Sequence, residues 1–162
     1  MSGIPAGARA VVVTASTRAS QGVYDDVSGD LLDGALTDLG FEVARVLLPD
    51  DRDKLTNAIA TAVELKADLV VTTGGTGMSP TDITPEATAP VITRPVPGIA
   101  EAIRAYGAAS TPYAVMSRGL AGVAGTTFIV NLPGSKGGAK DGIAVLTPLL
   151  PHILSQLRGG DH

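Results

Sequence analysis

Four short apolar runs, rich in β-branched residues, recur along the chain with helical segments between them, and this alternation restricts the fold more than any other feature. Residues 9–16 (RAVVVTAS), 41–48 (FEVARVLL), 68–73 (DLVVTT) and 127–132 (TFIVNL) have strand length. The Val-rich runs are apolar without alternation, as strands buried on both faces are. Between the first two, Leu31, Leu32, Ala35, Leu36 and Leu39 recur at helical spacing, with Ser28 as the expected cap and Gly40 as a left-handed stop. Residues 51–66 carry Leu55, Ile59, Ala62, Val63 and Leu65 on a second amphipathic helix. Thr84-Pro85-Glu86 reads as a helix start, with a capping hydroxyl, a proline at the first position and an early acid. Residues 97–109 predict another helix, 111–125 give a mixed and partly helical signal, and the chain after the fourth strand is helical, restarted or bent at Pro148 and Pro151. Alternating strands and helices imply an α/β fold of three layers, α/β/α, around a mostly parallel sheet with right-handed crossovers. No repeat, linker or low-complexity block interrupts it, so residues 1–162 are expected to form a single domain.

Composition removes several classes of function. The 162 residues carry a formal charge of −4 and only 3% aromatics, so neither a basic nucleic-acid footprint nor a base-stacking platform is expected. The absence of Cys excludes disulfides, thiolate zinc sites, iron–sulfur clusters and a cysteine nucleophile. His152 and His162 are the only histidines, too few for a histidine-rich metal centre. The opening MSGIPAGARA lacks the basic and apolar regions of a signal peptide. No stretch approaches the ~18 consecutive apolar residues of a membrane helix, and the expected location is the cytoplasm.

In a sheet of this kind ligands bind beyond the carboxyl ends of the strands, near a switch in strand order. The residues expected there are Ser16-Thr17-Arg18, then Asp50-Asp51, then a loop over 73–82, then a loop over 131–138. In the third of these, Gly74, Gly75, Thr76 and Gly77 either bring backbone N–H groups and a hydroxyl to an anion or simply form a turn at positive φ. Neither the dinucleotide fingerprint nor the lysine-bearing phosphate loop is present. Asp82, five residues beyond Gly77, is a turn cap or a ligand for Mg²⁺ beside phosphates, and Asp50 is a helix cap or a second such ligand. Hard oxygen donors without Cys or His favour Mg²⁺ over zinc. The fourth loop either offers Asn131, Pro133, Gly134, Ser135 and Lys136 to phosphate at a helix start or is an ordinary Pro-Gly turn with a solvated lysine. Ser117 and Arg118 add a hydroxyl and a candidate anion clamp, and His152 reads as structural or interfacial.

These residues carry a family resemblance. Gly74-Gly75-Thr76-Gly77 followed by Asp82-Ile83-Thr84-Pro85-Glu86-Ala87 resembles the signature of the Mog/MoaB family of molybdenum-cofactor biosynthesis. The likeness runs through Tyr24 to Gly29 (YDDVSG), Leu48-Pro49-Asp50, Pro97-Gly98-Ile99, Met116-Ser117-Arg118, Asn131-Leu132-Pro133-Gly134-Ser135 and Leu150-Pro151-His152. It implies a molybdopterin-binding-domain-like fold and a molybdopterin adenylyltransferase, which takes ATP and molybdopterin to adenylylated molybdopterin and pyrophosphate with Mg²⁺. By the same resemblance Asp50 and Asp82 are the essential acids and metal ligands. The 74–77 loop, Ser117 and the loop from Pro133 to Ser135 match positions around the nucleotide and pterin, and Ser16, Arg118, Asn131 and Lys136 are expected to contact substrates beside them. A homotrimer and hand-off to a molybdate-inserting enzyme are also implied. Where many relatives carry Ser-Asp-Arg after the first strand, this chain has Ser16-Thr17-Arg18, which removes any role of an acid there.

The chemistry implied needs few special groups. The terminal phosphate of molybdopterin is already an anionic nucleophile toward the α-phosphate of ATP, so alignment and charge neutralisation suffice. Two other readings are a molybdopterin carrier without turnover and a nucleotide pyrophosphatase resembling the competence-damage proteins. Retention of Asp50 and Asp82 weighs against the first. Thr76 within GGTG, and Asp82 directly before Ile83-Thr84, weigh against the second.

Overall fold

The computed structural model describes residues 3–161, so Met1, Ser2 and His162 lie outside the account below. Six strands form one sheet in the order β2-β1-β3-β6-β5-β4. They are β1 (Arg9–Ala15), β2 (Glu42–Leu48), β3 (Leu69–Thr73), β4 (Arg94–Pro95), β5 (Ala121–Ala124) and β6 (Thr127–Leu132). The four predicted strands are β1, β2, β3 and β6, and all pair in parallel. Beyond them β5 runs antiparallel to β6, and β4 antiparallel to β5. The helices are α1 (Thr17–Ser20), α2 (Val27–Leu39), α3 (Arg52–Glu64), α4 (Thr84–Thr88), α5 (Pro97–Ala108), α6 (Lys136–Leu146) and α7 (Leu150–Leu157). A 3₁₀ turn spans Pro112–Met116.

The two faces of the sheet are both covered, because successive strand residues point to opposite sides. Ala10 and Val12 of β1 enter a core completed by Leu32 and Leu36 of α2, Ile103 of α5, Leu146 of α6 and Leu154 of α7. Val13 and Ala15 enter a second core with Leu55, Ile59 and Ala62 of α3 and Ala87 of α4. This is the expected three-layer α/β/α arrangement around a mostly parallel sheet. β2 and β3 lie on opposite sides of β1, so the loops leaving β1 and β3 diverge and open a crevice at their carboxyl ends.

Several local expectations are corrected. Ser28 does not cap α2; Asp26 does, accepting from Gly29 N at 3.1 Å. Gly40, at φ 111°, is the expected left-handed stop. The polar stretch after β1 contains the short helix α1, capped by the Ser16 hydroxyl. Thr84 is the first residue of α4 rather than its cap, and no side chain caps that helix. In the mixed stretch 111–125 only the 3₁₀ turn is helical, and β5 (AGVA) is a strand. Small residues give β5 little intrinsic strand signal; its place comes from pairing with β6 across a turn at Gly125, φ +59°.

Candidate functional site

The two glycine-rich loops meet at the carboxyl ends of β1, β3 and β6. Gly74 N donates to Leu132 O, and the Thr73 hydroxyl donates to Pro133 O at 2.8 Å, which ties the loop after β3 to the loop after β6. Gly74 and Gly75 both have positive φ, 97° and 68°. A Cβ at Gly74 would lie 2.3 Å from Ala15 O, and one at Gly134 would lie 3.1 Å from Gly74 Cα. Glycine is required at position 74 for conformation and for space together. Gly77 serves differently: a Cβ there would meet Asp82 Oδ2 at 2.7 Å, so its absence leaves room for that carboxylate.

The two acids are held in place by separate contacts. Asp51 caps α3, accepting from Lys54 N, which leaves Asp50 free of the capping role. Asp50 Oδ2 instead accepts from Thr17 N at 3.3 Å and from the Thr17 hydroxyl at 3.1 Å, and Asp50 N donates back to that hydroxyl. Thr17 is therefore the residue that orients Asp50. Asp50 Oδ1 faces the glycine loop, 3.4 Å from where a Cβ at Gly75 would sit. Asp82 Oδ2 accepts from Ser79 N at 3.0 Å, closing the turn over 79–82.

Arg118 is not a free anion clamp. Its guanidinium donates to both oxygens of Glu86, at 2.7 and 3.2 Å, to Gly77 O at 2.8 Å and to Asp82 O at 2.8 Å. It therefore grips both ends of the loop that carries Asp82 and is neutralised by Glu86 of α4. The pairing holds the Glu86 carboxyl below its usual range, through the Arg118 hydrogen bond first and against the burial that raises it. Asn131 is also drawn inward. It is buried, accepts from Leu120 N, and donates to the hydroxyls of Thr72 and Thr88. Its amide links β6 to β3 and α4, behind the site rather than within it. His152 stands on α7 with its Nε2 3.0 Å from Gln156 Nε2.

Two cavities open on this edge and share Gly75, Asp82 and Gly134. The polar one, about 390 Å³, is lined by Ser16, Tyr24, Asp26, Asp50, Gly74 and Lys136 among others. Asp26 is committed there to the α2 cap, the Thr14 hydroxyl and Arg45, whereas Lys136 is exposed at the start of α6. The larger, about 700 Å³, is lined by Thr76, Gly77, Met78, Ser117, Pro133 and Ser135, together with Ile103, Gly107, Tyr113, Met116 and Asp141. Of the residues singled out as metal ligands or substrate contacts, Asn131 and Arg118 line neither cavity, and of the others expected at this edge Thr17, Arg18 and Asp51 line neither as well. Sequence reasoning missed Tyr24 on the polar side, the part of Thr17 in orienting Asp50, and the α5, 3₁₀-turn and α6 wall on the other.

The family model described as "Probable molybdopterin binding domain" matches residues 11–152, which includes both glycine loops and both acids. The chain belongs to the Mog/MoaB family. Within that family it is 40% identical over 161 residues to a molybdenum cofactor biosynthesis bifunctional protein of Synechococcus elongatus, covering 99% of this chain and 50% of that one. The chain thus spans half the length of that relative. It is 36% identical over 152 residues to a molybdopterin adenylyltransferase of Helicobacter pylori, covering 91% of this chain and 86% of the relative. Among solved structures, the molybdopterin biosynthesis Mog protein of Mycobacterium ulcerans superposes with a TM-score of 0.89 at 45% identity, covering 93% of this chain and 99% of that one. This Mog/MoaB chain has no helix, among its described residues, long and apolar enough to cross a membrane.

The oxygen donors fit a magnesium ion shared with substrate. Among the described residues no group of three or more His, Cys, Asp or Glu could hold a metal by itself. Magnesium does not need one, because it is commonly bound through one or two carboxylates together with substrate phosphates and water. The buried Thr84 hydroxyl, which has no hydrogen-bond partner, fills the space that a Cβ at Gly75 would need, 2.3 Å from it.

Proposed function

We propose that this chain is a molybdopterin adenylyltransferase, using Mg²⁺, ATP and molybdopterin as the family resemblance implies. The observation that carries this reading is the pair of adjoining cavities with Asp82 on their common wall and Asp50 on the polar side. Two phosphate-bearing ligands in neighbouring cavities would meet end to end at the glycine loops. The terminal phosphate of molybdopterin would attack the α-phosphorus of ATP, forming a new P–O–P linkage as the bond to the β,γ-pyrophosphate breaks. The attacking oxygen is anionic, so no side chain has to remove a proton.

The protein's part is alignment. N–H groups of the 74–77 loop and of the loop from Pro133 to Lys136 would receive phosphate oxygens, with Lys136 adding positive charge at the polar cavity. Asp50 and Asp82 would hold magnesium, which when bound supplies positive charge against the crowded phosphates. The apolar wall of Ile103, Met116 and Tyr113 would take one of the two heterocycles and exclude water. A homotrimer, a cytoplasmic location and delivery of the product to a molybdate-inserting enzyme complete the proposal.

The test is pyrophosphate release measured with ATP, molybdopterin and Mg²⁺ supplied singly and together. An adenylyltransferase releases pyrophosphate only with all three. Release from ATP without molybdopterin would indicate a pyrophosphatase, and binding without release in any mixture would indicate a carrier.

A further inference from the structure

We propose that Asp141 of α6 reads the pyrimidine edge of the pterin, which assigns molybdopterin to the large cavity and ATP to the polar one. The proposal rests on the adenylyltransferase reading for its two ligands and goes beyond it in naming which cavity takes which ring. Asp141 is half-buried on the wall of the large cavity. Its Oδ2 stands 3.3 Å from where a Cβ at Gly107 would be, so the carboxylate packs close to the α5 backbone. Among the described residues this carboxylate accepts no hydrogen bond and forms no ion pair. The cations lining the same cavity do not neutralise it. Arg104 donates to Ser117 O at 3.3 Å and to Gly119 O at 3.1 Å, and Lys140 is exposed. A carboxylate offers acceptors only, and a ligand that enters the cavity displaces its water, so that ligand must bring donors.

The position along α6 indicates where those donors lie. The helix starts at Lys136, beside the loop proposed to receive phosphate, and Gly137, Gly138 and Asp141 line the large cavity. A Cβ at Gly137 would meet nothing within 4 Å, so the first turn leaves open floor. Asp141 follows about 8 Å further along the helix, and a phosphate beside it would be repelled. It stands instead where a ring attached to that phosphate would end. The two rings differ at this point. A pterin presents its ring N3–H and its 2-amino group side by side, two donors for the two oxygens of one carboxylate. Adenine presents its amino donor beside ring nitrogens that accept, so a carboxylate gains one bond and meets a lone pair at the other. The carboxylate therefore selects the pterin.

The test compares the two ligands by calorimetry. Asp141→Asn keeps the size of the side chain and sets an amide NH₂ against one of the two donors. Molybdopterin affinity should fall about tenfold to a hundredfold, and affinity for a non-hydrolysable ATP analogue should stay as in wild type. A second measurement, by pteridine fluorescence, needs no variant. Wild type should bind 6-hydroxymethylpterin more tightly than 6-hydroxymethyllumazine, in which an oxo group replaces the 2-amino donor. The preference should reverse in Asp141→Asn, whose amide offers one acceptor and one donor. Weaker binding of the ATP analogue with molybdopterin unchanged would give Asp141 to the ribose or the adenine and overturn the assignment. Equal loss for both ligands, no loss for either, or equal binding of pterin and lumazine by wild type would overturn it as well. A wild type that shows the pterin preference yet releases no pyrophosphate would count against adenylyl transfer and support the role of Asp141.

Discussion

The polar cavity and the large cavity share the wall formed by Gly75, Asp82 and Gly134, yet they are assembled from different parts of the chain. The polar one is made where β1, β2 and β3 end, by residues whose backbone position the parallel sheet dictates. Ser16 and Gly74 follow their strands directly, and Asp50 follows β2 after Pro49. The large one depends on how α5 and the 3₁₀ turn fold back against α6, with Gly107 facing Ala114 and Asp141 across the helices. One region is therefore set by topology and the other by helix packing. Under the proposed function, chemistry that requires fixed charges would fall to the first, and recognition of an apolar ring to the second.

Loss of the acids should separate the two regions most sharply. Asp50→Asn or Asp82→Asn should cut pyrophosphate formation by ~10²-fold, because charge neutralisation between two polyanions disappears. The fold and the affinity of the ligand housed in the large cavity should persist. A parallel loss of that affinity, measured calorimetrically, would show that the cavities act as one.

This division also explains how much was legible in the sequence. The four parallel strands and their following loops were readable, because a short Val-rich run ending in glycine or aspartate has few alternatives. Which acid caps α3 was not: Asp50 and Asp51 are adjacent, and only the Thr17 contacts show that Asp51 caps while Asp50 faces the cavity. Arg118 and Asn131 sit in motif positions that look like ligand contacts. Their partners, Glu86 and Thr88, are remote in sequence and reached only through α4. Ile103, Gly107 and Asp141 carry no local signal at all, since a cavity wall on a helix has the same periodicity as a core face.

A wedge in the second region gives the next largest effect. A Cβ at Gly107 would lie 2.8 Å from the Cβ of Ala114, so Gly107→Val must displace the 3₁₀ turn into the large cavity. Overpacking of this kind should weaken one of the two substrates about tenfold and leave Mn²⁺ binding at the acids unchanged. If titration shows both substrates and the cation weakened alike, packing and charge are not divided between the two cavities as described.

The smallest effect is expected at the joint. Arg118 holds the loop of Asp82 and is itself held by Glu86, so Arg118→Gln and Glu86→Gln should raise the Mg²⁺ concentration needed for half-maximal rate by a similar factor, about threefold to tenfold. An anion-binding Arg118 predicts the reverse for Glu86→Gln, because releasing the guanidinium would strengthen ATP binding. The lowered Glu86 pKa adds a sign. The contribution of the ion pair is complete above the ordinary glutamate value of 4.5 and is lost as pH falls through the lower folded value. Since both side chains are more than one-third exposed, solvent reduces that contribution to stability. Thermal melts of wild type and Glu86→Gln should therefore converge as pH falls below the glutamate range; a constant gap would place the effect elsewhere.

The claim that joins these observations is that both substrates occupy the molecule together, on either side of Asp82. It is tested most directly by titrating molybdopterin into protein saturated with a non-hydrolysable ATP analogue and Mg²⁺, at fixed ionic strength. Two adjoining cavities predict binding at full stoichiometry, with an affinity that falls when Mg²⁺ is withdrawn because the two polyanions then repel each other. Mutual exclusion of the two ligands with and without Mg²⁺ would mean a single shared site, and would contradict the account.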